Sequence, residues 1–575
     1  MDRRNFLKGA AAFTLTAVTF VLASQTAPAR YVTKKIKNLS YQIFPEGESV
    51  RYTVTDPAKA SLSFINLKFV GGAPKEFTLN VITKKGDVLV EGKPLNPEQG
   101  ELEIQVIERE NDEYIIQMNI SPEMIIGDRV YVDVKQKESN PKYALEDIWI
   151  DVKEGTDPVV ENEHDIEGYV PQLSYRAGEE IELKVHAPTG RFGIEFVRYG
   201  KEEKVVDRVE NIKGIKQNYT RYVYRNGANW KTSYSYRVPD SWRTGLYGAR
   251  LFDQSGKEFY ISFNIKSSRY TGEKKKRIAV LSSTNTWTAY NTWGGASLYK
   301  YFVNDHVSPL YAQIVNSQRP NIEASPVGDP IHLANAEKLI LSWLEENEYD
   351  FHVIADSDLH TDKDLLSHFG TLIINTHGEY WTEEMYNALE DFMNQGGNLL
   401  YLSGNGVYWK SVVKDNQLEV RKAFGYHVLN DERGGLWNRI GRSEAGLLGV
   451  RYTPTGFNTF HPYKVKQADH WIFDGTNLKN GDEIGKEGLN RGGASGHETD
   501  KRNEFSPKNL ILLAKGTNPE DGGAEMVYYD HPGGGGVFSV GSVTFGGSLV
   551  VDDKLSQMVK NVMNRYTLES KSDLS

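Results

Sequence analysis

The stretch from residue 371 to residue 409 constrains the fold of this chain more than any other. Two apolar runs, TLIINT and NLLYLSG, flank an amphipathic helical segment, TEEMYNALEDFMNQGG. This order predicts a β–α–β unit with parallel strands. Each run ends in a glycine-containing turn with aromatic residues, 377–381 and 404–409. Ligands bind at the carboxyl ends of parallel strands, so we expect both turns to face one crevice.

The pattern of strands and helices along the rest of the sequence divides the chain into several domains. A chain of 575 residues is too long to fold around a single hydrophobic core. Residues 30–155 and 160–268 carry short alternating strands separated by turn residues, which predicts two all-β, immunoglobulin-like sandwiches. From 274 to 570 strands alternate with helices, which predicts a doubly wound α/β domain. The expected fold is therefore multidomain, with two N-terminal sandwiches followed by an α/β domain.

Residues 1–29 are predicted to be a twin-arginine-type signal peptide. Arg3 and Arg4 precede an apolar stretch at 9–23, and Ala-Pro-Ala at 27–29 is a cleavage site. The apolar stretch is shorter than the roughly 20 residues that a membrane span needs. We therefore expect a periplasmic or secreted protein with no stable membrane span after the signal is removed.

Composition excludes several classes of function. The net charge is −10 and no basic stripe occurs, which argues against nucleic acid as a partner. The absence of cysteine excludes cysteine nucleophiles, thiolate metal sites and iron–sulfur clusters. Tyrosine is abundant, with 32 residues, and such side chains often line ligand-binding surfaces. The expected partner is a small-molecule amide or glycan substrate, with a homo-oligomer as a further possibility.

The turn Gly404-Asn405-Gly406 bears on the type of catalysis. In a glutamine-amidotransferase-like α/β domain, a tight turn after a strand holds a cysteine or serine nucleophile. Here the central residue is Asn405, which is not a nucleophile. If the chain is an enzyme, we expect no covalent catalysis at this turn.

Five sequence blocks, taken together, resemble the C-terminal domain of the N,N-dimethylformamidase large (beta) subunit family. The resemblance covers about residues 278–550, and the preceding SWRTGLY segment is similar to the β-domain of that family. The blocks, in chain order, are TWTAYN with GG and SLY (286–299), HGEYW (377–381), YLSGNGVYW (401–409), ERGGLW with GR (432–442) and ASGHETD (494–500).

The resemblance implies a ferric ion held by two tyrosines and one glutamate, in an enzyme that hydrolyses a small formamide. Carried over by motif, Tyr380 and Glu432 are the candidate ligands, and Tyr290 and Tyr408 are candidates for the second tyrosine. The sequence departs from the family at Gly378, where the family has proline, and in having no histidine just before Glu432.

The chemistry of these residue types agrees with the implied metal. Phenolate and carboxylate are hard ligands suited to Fe(III), and only a nearby cation keeps a tyrosine ionised at neutral pH. A bound ion with an open position polarises a carbonyl or lowers the pKa of a water. Glu498 or His377 is then the expected general base or proton donor, and Asn458 matches a polar residue that lines the pocket of the family.

Three hypotheses for function follow. The leading one is an exported, metal-dependent hydrolase of C–N bonds. The second is a non-catalytic carbohydrate- or cell-surface-binding protein on a degenerate α/β fold. The third is a metal-independent polysaccharide-active enzyme that uses Glu379 and Glu432. Structural roles also stay open: Tyr380 as a packing residue, Glu432 as a surface acid in an ion pair, and Asn458 as a turn former.

Overall fold

The computed structural model describes residues 161–188, 190–220, 223–299, 312, 314–328, 330–422, 427, 429–430 and 432–567. It also describes the backbone of strands between 30 and 160 and at 301–303 and 306–308. The predicted signal peptide, 1–29, lies outside the described residues. Of the first predicted sandwich, 30–155, only the strand backbones are described.

The N-terminal region forms two antiparallel sheets, in the orders β1-β9-β4-β7-β6 and β2-β3-β8-β5. Its described strands are β1 (Arg30–Lys35), β2 (Leu39–Ile43), β3 (Ser49–Thr55), β4 (Ser63–Val70), β5 (Phe77–Ile82), β6 (Ile104–Arg109), β7 (Glu113–Ile120), β8 (Arg129–Gln136) and β9 (Ala144–Glu154).

A second β region follows, with sheets in the orders β12-β19-β18-β14-β15, β11-β13-β17 and β10-β16. Alternating apolar residues of its strands, such as Phe196 and Leu251, form its core. Its elements are β10 (Val159–Val160), β11 (Glu167–Tyr169), β12 (Ser174–Tyr175), β13 (Glu180–His186), β14 (Arg191–Tyr199), β15 (Glu203–Lys213), β16 (Tyr219–Thr220), α1 (Val223–Asn226), β17 (Tyr234–Arg237), β18 (Gly245–Asp253) and β19 (Glu258–Ile265).

Strands and helices alternate in the C-terminal region. Its helices are α2 (Thr284–Tyr290), α3 (Ala334–Glu346), α4 (Asp356–Thr361), α5 (Glu383–Asn394), α6 (Ala445–Leu448), α7 (Phe545–Leu549) and α8 (Asp553–Thr567). Its strands are β20 (Ile278–Ser282), β21 (Tyr301–Val303), β22 (His306–Ser308), β23 (Ile314–Asn316), β24 (Phe351–Ala355), β25 (Thr371–Thr376), β26 (Tyr380–Trp381), β27 (Asn398–Ser403), β28 (Trp409–Lys414), β29 (Gln417–Val420), β30 (Gly435–Leu436), β31 (Arg451–Thr453), β32 (Phe460–His461), β33 (Tyr463–Val465), β34 (Glu483–Ile484), β35 (Ser495–Gly496), β36 (Thr499–Lys501), β37 (Ile511–Gly516), β38 (Glu525–Asp530) and β39 (Gly536–Ser539).

The main sheet of this region is mixed. Among the described residues it holds the strands β24-β20-β25-β27-β39-β38-β37-β33-β34 in that order. Strands β24 to β39 pair in parallel, whereas β38, β37, β33 and β34 pair antiparallel. Helices α3 and α8 pack on one face of the sheet and α5 packs on the other, which explains why the parallel strands are apolar along their whole length.

The β–α–β unit predicted at 371–409 is confirmed. Strand β25 pairs in parallel with β27, with Thr371 opposite Asn398, and α5 connects them. The hydroxyl of Thr382 accepts a hydrogen bond from the backbone N–H of Met385 and caps the start of α5. Gly396, at φ +85°, follows the end of the helix, where only a residue without a Cβ adopts this backbone conformation at low cost.

The chain is a β-rich multidomain protein, and its second β region is joined to the α/β region by partly buried ion pairs. Lys266 and Asp358 form an ion pair across this boundary, and Arg198 pairs with Glu345. Among the described residues, none of the helices combines the length and apolar character that a bilayer-spanning segment requires.

Candidate active site

The two aromatic turns meet at the carboxyl edge of the parallel strands, as predicted. The ring Nδ1 of His377 lies 3.0 Å from the carbonyl oxygen of Gly404, which belongs to the second turn. The backbone N–H of Val407 donates to the carbonyl of Gly378 over 2.7 Å. These contacts hold the ends of β25 and β27 together, so side chains from both turns reach the same space.

A cluster of oxygen atoms surrounds the carboxylate of Glu379. The hydroxyl of Tyr299 donates to Oε2 of Glu379 over 2.5 Å, and the hydroxyl of Tyr380 donates to that of Tyr299, also over 2.5 Å. The hydroxyl of Tyr290 lies 3.4 Å from the same Oε2. The indole N–H of Trp409 donates to Oε1 over 3.1 Å. Three phenols therefore converge on one carboxylate, which we call the tyrosine–glutamate cluster.

Local structure explains how these side chains are placed. Tyr290 is the last residue of α2, which starts where β20 ends. Tyr380 opens the short strand β26, which pairs in parallel with β28 so that Tyr380 lies opposite Trp409. Tyr299 stands at the end of the loop that follows α2, and its ring centroid lies 4.2 Å from that of Tyr290. Helix, loop and edge strand thus each supply one phenol.

A buried imidazole lies between two carboxylates beside this cluster. Nε2 of His377 is 3.3 Å from Oε2 of Glu379 and 3.4 Å from Oε2 of Glu498. Burial alone would lower the pKa of His377, but the charges of Glu498 and Glu379 raise it to about 9. Burial raises the pKa of Glu498 to about 7, against the opposing effect of His377. Glu498 can therefore both accept and donate a proton near neutral pH.

The cluster is arranged around one negative charge. Burial would raise the pKa of Glu379, but hydrogen bonding to His377 and the charges of His377 and Lys422 hold it below its usual value. The ammonium of Lys422 lies 3.5 Å from the ring centroid of Tyr299, and burial lowers its pKa to about 8. Burial and the charge of Glu379 raise the pKa of Tyr380 well above its usual value, so the phenol is neutral without a further cation.

Arg319 fixes the loop between Tyr290 and Tyr299. Its side chain is 1% exposed, and it donates to the backbone carbonyls of Asn316 (2.9 Å), Asn291 (3.0 Å) and Ala296 (3.2 Å), and also to that of Trp293. The same loop is tied to the second β region, because the indole N–H of Trp293 donates to Glu167 over 2.7 Å. The relative position of the two tyrosines therefore depends on Arg319 and on the neighbouring β region.

The structure brings together four of the seven candidate residues named from the sequence, namely Tyr290, His377, Tyr380 and Glu498. Glu432, Asn458 and Tyr408 make other contacts. The side chain of Glu432 is 46% exposed and forms an ion pair with Lys410 over 3.0 Å. Asn458 is exposed in a turn at φ +58°, and its backbone N–H donates to the carbonyl of His497.

Tyr408, the other candidate for a second tyrosine ligand, touches Glu379 through its backbone, because its N–H donates to the carbonyl of Glu379 over 3.1 Å. Its ring meets those of Tyr452 and Trp409 edge to face, at 5.4 Å and 5.2 Å, and the guanidinium of Arg451 lies over it at 5.6 Å. The ring of Tyr408 is therefore enclosed by Tyr452, Trp409 and Arg451.

Several residues of the site were not among the predicted ligands or catalytic groups. Tyr299 stood in a quoted block without a role, and Glu379 was named only for the polysaccharide hypothesis. The motif HGEY places Glu379 directly before Tyr380, which is the signal that could have identified it. Lys422 and Arg319 lie in segments without a recognisable pattern, so no sequence signal pointed to them.

The donor atoms of the cluster fit the hard cation that the sequence resemblance implies. Within the part of the chain that the structure describes, no three His, Asp or Glu side chains are grouped as metal ligands. The tyrosine–glutamate cluster instead supplies phenol oxygens and one carboxylate, with Tyr299, Tyr380 and Glu379 in mutual contact. Oxygen donors of this kind bind hard, highly charged ions. Such an ion would take the place of the protons in the hydrogen bonds that link these three side chains.

A buried carboxyl beneath the site leads to a first prediction. Glu337 accepts hydrogen bonds from the hydroxyl of Ser282, the backbone N–H of Ser283 and the indole of Trp287, at 2.7–3.0 Å. Burial raises its pKa from 4.5 to about 7. A raised pKa means that the stabilisation from this group is complete below pH 4.5 and is lost as the pH rises through about 7.

Glu337→Gln is therefore expected to raise the free energy of unfolding at pH 8 by about 1–3 kcal/mol, with no gain at pH 4.5. Urea denaturation of both proteins at the two pH values measures the difference. Equal stability differences at both pH values would show that Glu337 ionises normally in the folded protein.

Comparison with known proteins gives a consistent result. A family model described as "N,N-dimethylformamidase beta subunit-like, C-terminal" matches residues 193–561. The N,N-dimethylformamidase beta subunit of Paracoccus aminophilus is 26% identical over 430 residues, which cover 60% of this chain and 55% of that protein. The protein of the same name from Alcaligenes sp is 25% identical over 422 residues, covering 59% and 54%. This chain therefore spans about half the length of the curated relatives it matches.

Similarity to solved structures is weak by comparison. The two immunoglobulin domains of DIP-gamma align with 42% of this chain and 99% of that chain, at 12% sequence identity and a TM-score of 0.11. This value is too low to support any conclusion about a shared fold.

Proposed function

Because this chain belongs to the N,N-dimethylformamidase beta subunit-like family, we propose that it is an exported, metal-dependent hydrolase of amides or related C–N bonds. The single observation that carries the proposal is the tyrosine–glutamate cluster, in which Tyr299, Tyr380 and Glu379 share hydrogen bonds of 2.5 Å. The family relatives are named as dimethylformamidase subunits, which supports an amide as the substrate class.

We propose Fe(III) as the metal, with Tyr299, Tyr380 and Glu379 as its ligands and Tyr290 beside them. When bound, such an ion would act as a Lewis acid that polarises a carbonyl or lowers the pKa of a water. The lowered pKa of Glu379 keeps its carboxylate charged for this role. Protonated His377 and the nearby Lys422 are the cations that balance this charge in the protein itself.

Proton transfer is assigned to Glu498. Its pKa of about 7 suits a group that first takes a proton from the attacking water and then delivers it to the leaving amine nitrogen. His377 contacts Glu498 and Glu379 and is protonated at neutral pH, so it orients both carboxylates rather than acting as a base. The products of this reaction are a carboxylate and an amine.

Iron content and colour test this proposal. Ferric phenolate absorbs visible light, so the protein isolated from a host that exports it folded is expected to be coloured and to hold about one iron per chain. Tyr380→Phe should remove the colour and the amidase activity and shift the melting temperature by only a few degrees, because one hydroxyl is lost from a packed ring.

The matched control is Tyr408→Phe, because the ring of Tyr408 packs against Tyr452, Trp409 and Arg451. This variant should keep both the colour and the activity. A colourless, metal-free wild-type protein would instead favour the non-catalytic binding hypothesis. A large loss of stability in Tyr380→Phe would favour a packing role for that residue.

Three further assignments are proposals of the same kind. Residues 1–29 direct export by the twin-arginine route to the periplasm or the medium. The β regions are immunoglobulin-like sandwiches, and the α/β region is glutamine-amidotransferase-like, which the mixed sheet with helices on both faces supports. The protein acts on small molecules rather than nucleic acid and forms a homo-oligomer.

A further inference from the structure

A cleft of about 670 Å³ lies at the amino edge of the main sheet, which is the edge opposite the tyrosine–glutamate cluster. Its walls come from the segments that lead into β20, β25, β27 and β39, and from β38 and the end of α8. We call it the amino-edge cleft. Its polar side chains include Lys274, Lys275, Tyr528, Asp530, Arg565 and Tyr566. None of these residues belongs to the site of the proposed hydrolase.

Two glycines before and at the start of β39 shape this cleft. A Cβ on Gly536 would lie 2.8 Å from the hydroxyl oxygens of both Tyr528 and Tyr566, which is closer than Cβ atoms approach such neighbours. Gly534 adopts φ +101°, and among the described residues no atom beyond its chain neighbours lies within 4 Å of the position of its Cβ. The first glycine therefore lets two phenols approach the chain, and the second leaves open space beside them.

The hydroxyl of Tyr566 is a buried group without a partner. Tyr566 is 3% exposed near the end of α8, and its hydroxyl forms no hydrogen bond within the described residues. The hydroxyl of Tyr528 is already used, because it donates to Oδ1 of Asp530 over 2.7 Å. Buried polar atoms are nearly always paired, so a group that enters the cleft is expected to bind the hydroxyl of Tyr566.

The amino-edge cleft is positively charged, although the whole chain has a net charge of −10. Three cations, Lys274, Lys275 and Arg565, and one carboxylate, Asp530, leave the lining with a formal charge of +2. Lys274 and Lys275 are exposed, and neither has a carboxylate partner among the described residues. A ligand group with two negative charges would therefore neutralise the cleft.

We infer that the amino-edge cleft binds a small molecule with a phosphate monoester group, held by Lys274, Lys275 and the hydroxyl of Tyr566. A phosphate monoester carries close to two negative charges at neutral pH and has three acceptor oxygens, which match the charge and the three donor groups. Ammonium groups bind phosphate as point charges, and a phenol donates to it through its O–H. The volume of the cleft lies within the range of about 300–1,000 Å³ that is typical of small-molecule sites.

Isothermal titration calorimetry of the full chain with glycerol 3-phosphate tests this inference. Glycerol is the matched ligand without the phosphate, and both titrations are made at the same ionic strength. We expect glycerol 3-phosphate to bind at a single site per chain and glycerol to give no binding signal. Equal signals from the two ligands, or no binding of glycerol 3-phosphate, would overturn the inference.

Replacing both lysines tests the cationic wall. Lys274→Ala combined with Lys275→Ala should raise the dissociation constant at least about tenfold, because hydrogen bonds between charged groups are lost. The matched control combines Lys204→Ala with Lys213→Ala, two exposed lysines of β15, and changes the net charge by the same amount. Its dissociation constant should stay within about twofold of wild type. An equal loss in both double variants would show that only the net charge of the protein matters.

Tyr566→Phe tests the unpaired hydroxyl. It should raise the dissociation constant about fivefold or more. The melting temperature of the ligand-free protein should stay unchanged or rise, because the hydroxyl has no hydrogen bond to lose. A variant that binds like wild type but melts several degrees lower would assign the hydroxyl to folding and overturn its role as a ligand donor. Since the cleft lies away from the proposed hydrolase site, phosphate binding by a protein without amidase activity would refute the hydrolase alone.

Discussion

Glu379→Gln is expected to abolish iron binding and to lower kcat at least about 10³-fold. Glu379 is the common acceptor of Tyr299 and Trp409 and contacts His377, so the substitution removes the charge around which the cluster is built. It also leaves the positive charges of His377 and Lys422 without the carboxylate that compensates them. Removing one partner of a buried ion pair typically costs about 3–5 kcal/mol, so the variant should also unfold at lower urea concentration.

The matched control is Glu432→Gln. This carboxylate is 46% exposed, and Lys410 keeps its ion pair with Glu383 when Glu432 is replaced, so the lost contact contributes about 0–1 kcal/mol. We expect iron content and activity close to wild type and a stability change within about 0.5 kcal/mol. Iron loss in Glu432→Gln with iron retained in Glu379→Gln would show that the motif-based assignment of Glu432 as the ligand is right and that the cluster is structural.

Arg319→Met is expected to cause a large loss of stability, about 3 kcal/mol or more. Four backbone carbonyls that this guanidinium satisfies would be left buried and unpaired, although removing a buried cation offsets part of the cost. Because three of these carbonyls, those of Asn291, Trp293 and Ala296, belong to the loop between Tyr290 and Tyr299, the affinity for iron should fall as well. Urea denaturation of the metal-free protein and iron titration measure the two effects separately.

Two further variants show whether the planar guanidinium matters. Arg319→Lys supplies charge but cannot reach four separate carbonyls, so it should recover only part of the stability. Arg208→Met removes a half-exposed arginine of the second β region and should change stability by less than about 1 kcal/mol. Wild-type iron affinity in an Arg319→Met protein that is destabilised would restrict Arg319 to a structural role.

The site residues that could be predicted lie next to a strand or helix with a regular sequence pattern, or in a block that resembles the family. His377 and Tyr380 follow β25 directly, and the carboxyl ends of parallel strands share one edge, so their meeting with the turn after β27 followed from periodicity alone. Tyr290, at the end of α2, and Glu498 were found through the resemblance of their sequence blocks. Neither of these two predictions required a distance between atoms of the folded chain.

Other residues could not be predicted, because their role depends on contacts between distant segments. Lys422 reaches Tyr299 from a part of the chain more than 100 residues away, and Arg319, which lies in a segment without a recognisable pattern, binds carbonyls of the loop between Tyr290 and Tyr299. The roles of Glu379 and Glu432 differ for the same reason. Both follow glycine- or turn-rich segments, and only the packing shows that one contacts the tyrosines and the other contacts Lys410.

The sequence by itself determined the alternation of strands and helices, the edge of the sheet where the site lies and the family of the chain, since these depend on local periodicity and motif order. Only the tertiary structure decided which oxygens share the carboxylate of Glu379 and that Glu432 pairs with Lys410 instead. Hydrogen bonding and burial are properties of the folded surroundings, and the order of residues does not specify them until the chain is packed.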